Sequence, residues 1–191
     1  YHGWLKEKVG SHIIRRNNIH HCEQGGIIGR MGGVFSVIED NHIHHINNMM
    51  EQGGAEIAGI KMHAAIDVLY QRNHIHHCTM GIWCDWEAQG TRITQNLLHD
   101  NQRPSFAKNL KGGMMSQDLF VEVGHGPTLI DNNILLFPPV QPSHPPCSLL
   151  RSDHFFPFSM LLLLRDTHCP RSIPADDQSV PVPVLPYPPV L

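Results

Sequence analysis

Asn73-His74-Ile75-His76-His77-Cys78 is one of three near-copies of a single phrase. The others are Asn17-Asn18-Ile19-His20-His21-Cys22 and Asn41-His42-Ile43-His44-His45-Ile46. Looser copies begin at Asn96 (Asn96-Leu97-Leu98-His99-Asp100) and Asn133 (Asn133-Ile134-Leu135-Leu136). The asparagines are spaced by 24, 32, 23 and 37 residues, so a unit of near-constant length carries two insertions. One insertion lies around Glu51 to Glu56 and the other spans about Gln102 to Met115, with Pro104, Gly112 and Gly113. Removing them puts Ile28, Ile60, Trp83 and Phe120 at one shared position, each 13 residues before its asparagine.

The apolar runs are short, β-rich and bounded by glycine or asparagine, as in Ser36-Val37-Ile38 and Thr91-Arg92-Ile93. No segment sustains a 3.6-residue apolar period. Short strands in coils of this length predict an all-β chain, a right-handed parallel β-helix. Asparagine tolerates left-handed backbone and hydrogen-bonds locally, so it is expected to turn the chain between sheets. Stacked copies are also expected to form an amide ladder along the axis. A leucine-rich repeat would need a Leu-x-x-Leu-x-Leu signature, which is absent.

The composition changes sharply near Phe137. All 16 glycines lie at or before Gly126, whereas 13 of the 15 prolines lie at or after Pro138. The expected organisation is therefore β-helix coils over residues 1–136 and an irregular Pro-rich tail over 137–191. Proline removes ladder donors, so the tail is not expected to continue central strands. Its abrupt onset points to a disordered or out-of-frame segment. The net charge of −3 argues against binding nucleic acid through bulk positive charge. Met160 to Leu164 is too short to cross a bilayer, so no membrane partner is expected. The five cysteines lack the spacing of a disulfide framework or a CxxC site. The chain begins at Tyr1 without a secretory signal and reads as a fragment, with a cytoplasmic location as the default expectation.

Equivalent positions on successive coils lie one strand spacing apart, roughly 4.8 Å. Eleven residues before each asparagine stand Arg30, Met62, Asp85 and Glu122. Asp85 and Glu122 should thus be stacked neighbours, at the separation that a retaining glycosidase requires. Burying a carboxylate without partners is costly, so both are expected on the outer surface. Two stacked acids repel, which raises one pKa and leaves a proton donor beside a nucleophile. Acids on an exposed strand face are as often only solvated surface.

Around these acids the chain resembles glycoside hydrolase family 120, the β-xylosidases built on a right-handed parallel β-helix. The resemblance rests on Gly25-Gly26-Ile27-Ile28-Gly29, on Gly81-Ile82-Trp83-Cys84-Asp85-Trp86-Glu87-Ala88-Gln89-Gly90 and on Asp118-Leu119-Phe120-Val121-Glu122-Val123-Gly124-His125-Gly126-Pro127. It spans about Tyr1 to Leu136. It implies Asp85 as nucleophile, Glu122 as general acid/base and Glu56 as a further acid near the substrate. Trp83, Trp86, His63, His125 and Glu87 are the implied sugar contacts. The substrate implied is a xylo-oligosaccharide or another β-glycoside, and no cofactor is implied. The family is longer than this chain, and self-association is left open.

Three other readings compete. The pairs His20-His21, His44-His45 and His76-His77 suggest zinc, but the repeat explains them as equivalent surface-turn positions, and no metal site is expected. Cys22 and Cys78 fit as apolar ladder residues rather than ligands. A calcium-dependent polysaccharide lyase could use Asp85, Glu87 and Glu122 as ligands with Lys61 or Arg92 as the base. A non-catalytic, carbohydrate-binding or structural coil stack is the third.

Overall fold

The computed structural model describes residues 8–31, 33–53, 56–102, 104 and 117–136, with the backbone of Leu150–Arg151 and Leu162–Arg165. Each coil contributes one strand to each of three parallel sheets. The first coil holds β1 (Ile13–Arg15), β2 (Asn18–Cys22) and β3 (Gly25–Arg30), and the second β4 (Val37–Glu39), β5 (His42–Ile46) and β6 (Ala58–His63). The third holds β7 (Leu69–Gln71), β8 (His74–Cys78) and β9 (Ile82–Asp85). The fourth holds β10 (Thr91–Thr94), β11 (Leu97–His99) and β12 (Leu119–Val121). β13 (Thr128–Asp131), β14 (Ile134–Leu136) and β15 (Leu150–Arg151) follow, then β16 (Leu162–Arg165). The first sheet runs β1-β4-β7-β10-β13-β16, the second β2-β5-β8-β11-β14 and the third β3-β6-β9-β12-β15. The architecture is the parallel β-helix expected from the repeat.

The core follows from strand alternation. Ile38, Tyr70, Ile93 and Ile130 stack inside the first sheet, and Ile43, Ile75, Leu98 and Leu135 inside the second. Ile60, Ile82 and Leu119 stack inside the third. Each fully buried aliphatic chain stabilises the coil stack by about 1.5–3 kcal/mol. Cys22, Ile46 and Cys78 form one more inward row, the apolar role expected for the cysteines.

The asparagines build a continuous amide ladder. Nδ2 of Asn17, Asn41, Asn73 and Asn96 donates to Oδ1 of Asn41, Asn73, Asn96 and Asn133 at 2.9, 3.0, 3.0 and 3.0 Å. The left-handed corner, however, is made one residue earlier than expected. Arg16, Asp40, Arg72, Gln95 and Asn132 carry the positive φ, and the ladder asparagine follows. The amide that saturates its hydrogen bonds across coils is thereby left in an ordinary backbone conformation.

One register expectation needs correcting. In the third sheet Trp83 pairs with Lys61, not Ile60, and Asp85 pairs with His63, not Met62. The link from β6 to β7 is one residue shorter than its counterparts on neighbouring coils, so counting back from Asn73 slips by one. A slip of one exchanges the inner and outer faces of a strand.

The insertion around Glu51 to Glu56 lies between β5 and β6. Most of the insertion between β11 and β12 lies outside the described residues. So does most of the Pro-rich segment and, with it, the expectation of disorder or frame change. Its two described pieces contain no proline and pair at the ends of their sheets, β15 with β12 and β16 with β13. Among the described residues no helix is long and apolar enough to cross a membrane.

Candidate active site

Two rows of outward side chains on the third sheet define the site. One row is Ile28, Lys61, Trp83 and Phe120. The next is Arg30, His63 and Asp85, which Glu122 continues because Val121 pairs with Cys84. After the second row each coil turns through a left-handed residue: Met31, Ala64, Trp86 or Val123. The second row therefore sits at the strand ends, where side chains meet an open corner.

Outward does not mean exposed here. Asp85 is only 4% exposed, contrary to the surface position expected for it. It tolerates burial because it is paired: Oδ2 lies 2.8 Å from Lys61 Nζ and 3.1 Å from His63 Nε2. Its second oxygen, Oδ1, is buried and is not held by Lys61 or His63. Lys61, a buried cation on the third sheet, also contacts Glu56 Oε2 at 2.6 Å and lies 3.5 Å from the centre of the Trp83 ring. Glu56, on the insertion before β6, thus reaches back over the strand to close the charge cluster.

Glu122 is half-buried and accepts a hydrogen bond from Trp83 Nε1 at 3.1 Å. Burial, the Asp85 charge and a proton shared with Asp85 push its carboxyl above the ordinary range, and Trp83 and Lys61 only partly offset them. Burial acts in the same direction on Glu56 and is the largest single influence, but the bonds and charges of Lys61 and His63 together outweigh it and hold that carboxyl low. The arrangement is thus a carboxylate with one oxygen held by Lys61 and His63, beside a carboxyl that keeps its proton more readily. Such a pair can attack and protonate in one site.

The structure brings together Glu56, His63, Trp83, Asp85 and Glu122 from the expected set. Trp86 is exposed, Glu87 is half-buried and both follow Asp85 round the corner, while His125 is exposed on the next coil's turn. Among the described residues none of these three makes a side-chain hydrogen bond or ion pair with the acids. Lys61 was legible only as a lyase base, because the slipped register put Ile60 in its place. Arg92, the other base considered, belongs to the first sheet and pairs with Asp131 at 2.7 Å. Glu56, His63 and Asp85 could also offer ligand atoms to a metal ion. The Lys61 ammonium already lies against the same two carboxylate oxygens and supplies their positive charge.

The family model described as "Right handed beta helix region" matches residues 4–135. The chain belongs to that right-handed β-helix family. A solved structure titled "The complex structure of XylC with xylose" matches with 47% sequence identity and a TM-score of 0.59. The match covers 69% of this chain and 20% of XylC, so the chain spans about a fifth of that protein's length. The resemblance to the family 120 β-xylosidases that the three motifs carry is borne out by this match. No curated protein matches the chain.

Proposed function

We propose that the protein carrying this chain is a retaining glycoside hydrolase that releases terminal β-xylosyl units from xylo-oligosaccharides. The observation that carries the reading is the stacked pair Asp85 and Glu122, with one acid anchored by Lys61 and the other pushed above the ordinary carboxyl range by its surroundings. The 47% identity to a protein solved with xylose supports the sugar class.

In the first step the Glu122 carboxyl protonates the glycosidic oxygen while the Asp85 carboxylate attacks the anomeric carbon. The bond to the leaving alcohol breaks and an ester to Asp85 forms. Lys61 and His63 hold Oδ2, so the carboxylate is fixed in orientation rather than searching. In the second step ionised Glu122 takes a proton from water, and the water oxygen displaces Asp85 with a second inversion. Neighbouring coils are roughly 4.8 Å apart, close to the carboxyl spacing of retaining enzymes and too tight for an intervening water. Glu56 is placed to orient a sugar hydroxyl, with Lys61 as its counter-ion.

The test is an aryl β-xyloside assay on the full-length protein, with NMR of the first-formed sugar. The expected result is β-xylose as first product and loss of at least about 10³-fold in turnover for Asp85→Ala. Near-normal turnover of Asp85→Ala, or α-xylose as first product, would overturn the assignment.

A further inference from the structure

The second sheet carries a feature that the sugar site does not use. Its outward residues include His20, His44, His76 and His99 in one row, stacked with ring centres 4.9, 5.1 and 4.8 Å apart. The repeat accounts for that row. It does not account for the adjacent outward row, where Asn18, His42, His74 and Leu97 are aligned. Only the two middle coils place histidine in both rows, and from each of them a ring converges on the coil that follows, His74 Nε2 lying 2.7 Å from His99 Nε2. His42 Nε2 lies 2.8 Å from His76 Nε2, and the His42 and His74 rings stack at 4.8 Å. His42, His74 and His76 each offer a ring nitrogen, all within 4.8 Å of one another.

We propose that His42, His74 and His76 form a binding site for a divalent cation of the zinc class. In a pair of facing neutral imidazoles only one nitrogen carries the hydrogen, and the other presents its lone pair. A cation between them can take the place of the shared hydrogen and engage both lone pairs. Zinc–nitrogen bonds of about 2.0–2.1 Å in a tetrahedron place ligand nitrogens roughly 3.3 Å apart, so His42 and His76 need only small rotations, while His74 exchanges its contact with His99 for the cation. His76 Nδ1 is bonded to His77 Nδ1 at 2.7 Å, which orients its Nε2 towards His42. Imidazole without carboxylate favours zinc-class ions over calcium or magnesium. The three ligands are half-buried, which leaves the fourth position to water and keeps the site reachable.

The test is calorimetric titration of chelator-stripped full-length protein with Zn²⁺, followed by the Co²⁺ absorption spectrum. Zn²⁺ should bind with one equivalent and micromolar or tighter affinity, and Co²⁺ should give a tetrahedral-type visible band. His76→Gln and His42→Asn should each weaken binding by at least about 30-fold with unchanged far-UV circular dichroism. His20→Gln with His21→Gln removes two exposed, mutually bonded imidazoles outside the site and should change affinity less than about 3-fold. The proposal is overturned if no saturable one-to-one binding occurs, or if the His20/His21 variant loses as much affinity as His42→Asn. Having two ligand variants keeps the test decisive should one of them fold poorly.

Discussion

Trp83 touches two members of the site, with its ring face against the Lys61 ammonium and its N–H donating to Glu122. The N–H bond favours the ionised form of Glu122 and so restrains the rise caused by burial and Asp85. Trp83→Phe keeps the ring and removes that donor. The Glu122 pKa should then rise further. The general acid must be protonated, so the alkaline limb of kcat/KM should move to higher pH, measurable as a complete pH profile on an aryl xyloside. An unchanged or lowered alkaline limb would show that Glu122 is not the acid or that the bond is absent. His63 was legible as a sugar contact, but its place beside Asp85 was not, since the count from Asn73 put Met62 there.

At the scale of strands and corners, the asparagine ladder is the element that holds coil to coil. The Asn73 amide accepts from the Asn41 backbone and side chain, and donates to Ile38 O and Asn96 Oδ1. Asn73→Ala would leave several buried groups without partners, each costing about 1–3 kcal/mol. The expected loss is therefore about 3 kcal/mol or more by chemical denaturation, whereas exposed Asn17→Ala at the ladder's end should cost under about 1 kcal/mol. Equal effects would argue that the ladder is not what couples the coils. The ladder was readable from the spacing of identical residues. The left-handed residue before each asparagine was not, because Arg16, Asp40, Arg72 and Gln95 share no turn chemistry. Corner geometry is imposed there by the stacking of whole coils.

Across the whole molecule, the histidine face sets an acid limit on stability. Burial, reinforced by neighbouring imidazoles, lowers His42 and His45 and brings His44 and His74 to about 4 and His76 to about 2. The unfolded chain titrates these groups near 6.5 and then binds more protons than the folded chain. Their contribution is fully present above that value and is lost as pH falls through it towards about 4, with His76 continuing lower. Asp118, pushed up to about 7 by burial, and Glu122 act in the opposite sense, but the five histidines outnumber them. The melting temperature, taken with a chelator present, should fall between pH 7.5 and 5, and His44→Gln with His76→Gln should flatten the curve. A melting temperature independent of pH over that range would refute the coupling.

What the sequence determined by itself was the coil. Repeated asparagines, β-rich runs and the absence of helical periodicity leave one way to bury the isoleucines, and identical residues at near-constant spacing must stack. It also put Asp85 next to Glu122, since both lie in coils whose links have the same length. What only the tertiary structure decided was where a link is one residue short, which side chains an insertion covers and how charges pair across strands. Lys61, Glu56 and Asp85 meet because an insertion and two successive coils converge over one sheet face. A count along the chain cannot register such contacts, because a single missing residue turns a strand's outer face into its inner one.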